Sequence, residues 1–223
     1  MACTVDKVIA IAKAEVGYLE KETNSQLDSK TANAGDENYT KYARDLDKIS
    51  NFYNGKKNGY AWCDMFVDWC FVQAFGVAKA KELLCQPDKS SGAGCQSSYN
   101  YYKRKGQIYS TPKVGDQIFF KNSNGSIIHT GLVYDVGDDY VRTIEGNTSG
   151  ASGVIANGGG VCQKRYPLPY SYIAGYGRPK YDKPSSNTTT NTTNTTESKV
   201  SKGVCNVEVK VLRKGSKGEE VKA

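Results

Sequence analysis

One histidine is all that these 223 residues contain, and the scarcity excludes a good deal. A single imidazole cannot complete the usual Cys/His zinc sites, and none of the seven cysteines (3, 63, 70, 85, 95, 162 and 205) stands in a Cys-x-x-Cys pair. No run approaches the roughly eighteen apolar residues of a membrane-spanning helix, so no membrane partner is expected. The opening Met1-Ala2-Cys3-Thr4-Val5-Asp6-Lys7 lacks a basic stretch followed by an apolar one, so no secretory signal is expected either. No basic-aromatic stripe accompanies the net charge of +7, which argues against nucleic acid as a partner. Phenylalanine is sparse (6) beside tyrosine (16), so amphipathic tyrosines must fill much of the aromatic core.

What is present is ordinary for a soluble globular chain: 38% hydrophobic and 24% charged residues, enough for one sizeable domain and an appendage. The positive charge suits an anionic polymer by long-range attraction. An odd number of cysteines in a chain of this length points to reduced, buried thiols rather than a disulfide scaffold. Cys85 and Cys95 flank a Gly/Ser-rich loop and could pair under oxidising conditions.

The apolar periodicity predicts helices over 4–17, with Thr4 able to cap, over 39–50, over 62–75 with Cys63 at its very start, and a short one around 97–104. After Pro112 the period changes to that of short strands near 117–120, 131–136, 140–145 and 172–177, separated by Gly/Asn/Asp turns. Helices followed by an antiparallel sheet form an α+β pattern. Residues 182–203, rich in Asn and Thr, have almost nothing to bury and read as a solvated linker, and 204–223 as the start of a second domain that the sequence does not complete.

The chemistry lies in three separated residues. Cys63, at a helix start, meets unpaired N–H groups and the positive end of the helix dipole, which favour a thiolate. His129, in a strand-forming run, can take the thiol proton and later deliver it to a leaving amine. Glu145, on the following strand, can face the same side and orient the imidazole through its other nitrogen. Asn147 would share that face if the strand continued, because side chains alternate with period two. Singly, each of these is more often structural. Their joint occurrence and order make an activated-thiol nucleophile.

Four ordered motifs carry a resemblance: Gly59-Tyr60-Ala61-Trp62-Cys63-Asp64-Met65-Phe66-Val67, Pro112-Lys113-Val114-Gly115-Asp116-Gln117-Ile118-Phe119-Phe120, Ile128-His129-Thr130-Gly131-Leu132-Val133 and Ile144-Glu145-Gly146-Asn147. Together they resemble the CHAP family, cysteine- and histidine-dependent amidohydrolases and peptidases with a papain-like α+β fold. The resemblance covers residues 5–181 and places the domain at 1–181. It implies Cys63 as nucleophile, with its backbone N–H in an oxyanion hole. It further implies His129 as base then acid, Glu145 as orienter, Asn147 as a fourth polar support, and Tyr60 as either helper or packing residue. The implied substrate is bacterial peptidoglycan, cut at the muramoyl–L-alanine amide or within stem and cross-bridge peptides. The tail resembles the first helix of a peptidoglycan-binding domain. That layout implies a monomeric phage endolysin that accumulates in the host cytoplasm and acts on the wall after release. The alternatives are a host autolysin of the same chemistry and a non-catalytic wall-binding module. Some phage members bind calcium through an aspartate-rich loop, which Asp45-Leu46-Asp47 resembles faintly. Because Asn54-Gly55-Lys56-Lys57 intervenes and the spacing is longer, two exposed helix carboxylates are expected there and no cofactor is required.

Overall fold

The computed structural model describes residues 3–182. The linker and the second domain read from the sequence lie outside the described residues. Five helices come first: α1 (Val5–Ala14), α2 (Lys41–Asp47), α3 (Cys63–Phe75), α4 (Val77–Leu83) and α5 (Cys95–Arg104). Six strands follow: β1 (Ile108–Tyr109), β2 (Gln117–Lys121), β3 (Ile127–Val136), β4 (Tyr140–Thr148), β5 (Gly160–Pro167) and β6 (Ile173–Gly177). They form one antiparallel sheet in the order β1-β6-β2-β3-β4-β5. This is the α+β arrangement the sequence predicts.

The sheet has a core on each face. Val8, Met65, Phe66, Cys70 and Phe71 of the helices meet Phe119, Leu132, Ile144 and Val161 of the sheet. On the opposite face Ile118, Phe120, Val133, Val141, Tyr166 and Tyr176 form a second, smaller core. Helix α3 is enclosed by other helices and by β3 and β4, so ten of its thirteen residues are buried and it shows no polar face. Each apolar side chain it buries contributes about 1.5–3 kcal/mol, which makes α3 the rigid post of the domain.

The boundaries show where local signals misled. Thr4 stands at the N-cap of α1 but makes no side-chain cap, whereas Thr40 caps α2 by accepting from the Ala43 N–H at 3.2 Å. Helix α4 and strands β1 and β5 were not expected. In β5 the inward positions include Lys164, whose ammonium is satisfied by the carbonyls of Ser149 and Ala151, so the apolar alternation is interrupted. All six cysteines of the described residues are free thiols, and the Cys85–Cys95 pairing is not made, because Cys95 turns inward to the core. Among the described residues no helix is long and apolar enough to cross a membrane.

Candidate active site

Cys63 is the first residue of α3, and the residue before it fixes where that helix begins. Trp62 is fully buried, packs on Tyr18 and Tyr42, and donates its indole N–H to Glu20 Oε2 at 2.6 Å. A ring held on its faces and at its polar edge leaves the helix start little freedom. The Asp64 backbone N–H acts on the Cys63 sulfur and favours the thiolate, as the sequence position implies.

Other neighbours work the opposite way. Cys63 is 6% exposed, and the thiol of Cys95, the first residue of α5, is its neighbour. The interaction with Cys95, then burial, pushes the Cys63 thiol well up. The same interaction lowers Cys95, with help from the backbone N–H groups of Gln96 and Cys95 itself. Cys95 in turn lies 3.6 Å from the Ile127 carbonyl oxygen, two residues before His129 on β3. At Cys63 the backbone N–H of the helix start thus acts against burial and a neighbouring thiol.

His129 is fully buried in β3 and stacks on Phe120, its register partner on β2, with centroids 5.9 Å apart. Its Nε2 lies 2.9 Å from Glu145 Oε2. Both side chains are fully enclosed, and they come from strands that are neighbours in the sheet. Thr143 Oγ1, two residues back on the same face of β4, and the Tyr166 hydroxyl at 3.1 Å also donate to Glu145. Burial, then the charge of Glu145, raises the Tyr166 hydroxyl, so that it stays a donor. Three donors on one buried carboxylate satisfy it and fix its direction. The remaining histidine nitrogen, Nδ1, has no hydrogen-bond partner, so the expected thiol–imidazole bond is not made in this structure.

Asn147 does not join the group. The β4–β5 register shifts between Glu145 and Thr148, and Asn147 adopts φ +54°, so period-two alternation ends at Glu145. Its Nδ2 donates to Asn38 Oδ1 and its Oδ1 accepts from the Gly159 N–H, both at 3.3 Å. Gly146, between the two, allows β4 to touch α3: a Cβ there would lie 2.5 Å from that of Phe66. Tyr60 is neither packed nor bonded to the dyad; it is 62% exposed and lines a groove of about 330 Å³ with Ala61 and Gly92–Gly94.

Residues 55–147 match the CHAP domain family. The CHAP match spans Cys63, His129, Glu145 and Asn147 and stops before β5, so Tyr166 lies outside it. No curated protein matches this chain. Calcium, which some CHAP enzymes use, does not fit Asp45 and Asp47. Asp45 accepts from Arg44, Lys48 and Trp69, and Asp47 from the backbone N–H groups of Lys57 and Asn58. Both carboxylates are half-buried rather than exposed, and their lone pairs are already engaged. Three further side chains missed by sequence reasoning support the site: Thr143, Tyr166 and Cys95. Of these only Thr143 had a signal, its i−2 spacing from Glu145 on a strand.

Proposed function

We propose that this chain is a cysteine-dependent peptidoglycan hydrolase that cleaves an amide bond of the bacterial wall. The observation that carries the reading is the fully buried His129–Glu145 pair, lying in one CHAP match with a helix-start cysteine. An imidazole locked through Nε2 to a carboxylate can hold a proton at Nδ1 and pass it on. In the reaction the Cys63 thiol gives its proton to His129 Nδ1. The thiolate attacks the amide carbonyl, and the Cys63 backbone N–H supports the oxyanion. His129 protonates the departing amine, and water then hydrolyses the thioester with His129 as base. The bond is the muramoyl–L-alanine amide or one in the stem or cross-bridge peptide. A monomeric phage endolysin released from the host cytoplasm is the setting that best suits the Asn/Thr-rich tail.

Cys63→Ala should abolish clearing of Gram-positive cell walls while leaving the fold intact. Mass spectrometry of the wild-type digest names the bond, because new amino termini appear on L-alanine or on a cross-bridge residue. Full clearing by Cys63→Ala would sink the proposal. One observation favours a second reading, a wall-binding module with an inert thiol: Cys63 is buried and its thiol is pushed well up. Wall binding without turnover, with ordinary thiol reactivity at Cys63, would select that reading.

A further inference from the structure

The residues that follow the nucleophile and the histidine are joined to each other through a buried polar chain that the mechanism above does not use. Asp64 is fully buried next to Cys63. Its Oδ1 accepts from Gln117 Nε2 at 3.0 Å, and the same nitrogen donates to Thr130 Oγ1 at 3.1 Å. Thr130 follows His129 on β3, and its hydroxyl donates to the Ile118 carbonyl at 2.7 Å. The other Asp64 oxygen accepts from Ser98 Oγ at 2.7 Å, one turn along α5 from Cys95. Asp64, Ser98, Gln117 and Thr130 are each at most 1% exposed.

Apolar side chains would fill this space at lower desolvation cost, since buried polar groups stabilise a fold only when fully paired. Apolar contacts, however, let a helix slide and rotate on a sheet. Directional bonds do not, and they select one arrangement; Gln117 Oε1 is the one polar side-chain atom of these four residues left without a partner. Here the bonds run between the neighbours of the three groups whose relative position matters: Cys63, Cys95 and His129. We propose that Asp64, Gln117 and Thr130 are positioning residues that set the start of α3, and so the Cys63 sulfur, against the His129 strand. Burial, then the charge of Asp68, pushes the Asp64 carboxyl well above the usual range.

The proposal rests on the hydrolase reading for its rate measurements, so the test has a second arm. Thr130→Val deletes the hydroxyl at nearly constant volume, and Thr130→Ser restores it. Asp64→Ala and Asp64→Asn form the matching pair at the other end. For each variant kcat and KM on soluble wall fragments are measured, together with the iodoacetamide alkylation rate of Cys63, read on its peptide by mass spectrometry. Small displacements at reacting groups cost up to about a hundredfold. The expected result is a fall in kcat of about tenfold or more for Thr130→Val and Asp64→Ala, with KM within about twofold. Cys63 alkylation should move toward the rate of a His129→Ala control. The Ser and Asn variants should stay near wild type, and the double variant Asp64→Ala/Thr130→Val should be no worse than the poorer single one, because one chain is cut either way. A folded Thr130→Val with wild-type kcat and alkylation, or additive losses in the double variant, overturns the proposal. If Asp64→Ala does not fold, the Thr130 pair decides. Equal Cys63 alkylation in wild type and His129→Ala would instead indict the hydrolase reading.

Discussion

Gly131 offers a way to disturb the Glu145 carboxylate, the proposed orienter of His129, without touching a polar atom. It lies on β3 two residues after His129, and a Cβ built there collides with Glu145 Cγ and comes within 3.0 Å of the Ile144 carbonyl oxygen. Its backbone φ is not in the left-handed region, so Gly131→Ala acts by volume alone. The backbone oxygen cannot yield; the Glu145 side chain must. Moving it stretches the 2.9 Å contact with His129 Nε2 and the bonds from Thr143 and Tyr166. A hydrogen bond to a charged group contributes about 1.5–3 kcal/mol, which at about 1.4 kcal/mol per tenfold in rate predicts a loss of roughly 10- to 150-fold in kcat. Overpacking separately costs about 1–3 kcal/mol of stability. In a domain of this size each kcal/mol lowers Tm by about 2–4 °C. Turbidity loss of purified walls gives the first quantity and a thermal melt the second. A folded Gly131→Ala that clears walls at the wild-type rate would refute the claim that the Glu145–His129 geometry limits turnover.

Asp68 is buried and pushed up to about 7 from 3.8 by desolvation, against the opposing effects of Tyr53, Gln86 and Lys81. Its raised folded-state value means that its stabilising contribution is full below pH 4 and is lost as pH rises through 7. Asp68→Asn should therefore gain on wild type by about 4 kcal/mol between those limits; parallel urea-melt stabilities across that range would contradict the sign. Asn147→Gly and Asn147→Ala both lose the side-chain bonds to Asn38 and Gly159, but the Gly variant should be the more stable of the two by about 1–2 kcal/mol, because φ +54° penalises a Cβ. Equal stability of the two, measured by denaturant titration, would show that the backbone is not strained there. Arg178 grips the buried Asp116 through Nε at 2.9 Å and a terminal nitrogen at 2.8 Å. Arg178→Ala strands that carboxylate and should cost about 3–5 kcal/mol at neutral pH, a loss readable as a shift of the chemical-denaturation midpoint.

The α+β order was legible because the hydrophobic period changes once, near Pro112, from helical to strand-like. Cys63 at a helix start and His129 and Glu145 on neighbouring strands were legible for the same reason, since spacing fixes the face of an element. Asn147 was misplaced because a one-residue irregularity reverses the face, and nothing in Glu145-Gly146-Asn147 announces a left-handed residue. Cys95 was read as a loop thiol. Its meeting with Cys63 depends on how α5 docks on β3, a tertiary matter with no local signature. Tyr166 was invisible for a similar reason: it reaches Glu145 from a strand whose inward row is interrupted by a lysine.

The two ends of the described unit meet. The Cys3 N–H donates to Asp182 Oδ2 at 2.8 Å, and the Asp182 N–H to the Cys3 carbonyl at 3.1 Å. A chain can therefore enter and leave this unit at one point on its surface. Topologically it behaves as a plug-in: it could be spliced into an exposed loop of a host protein, or be circularly permuted through a short bridge, without pulling α1 away from the sheet.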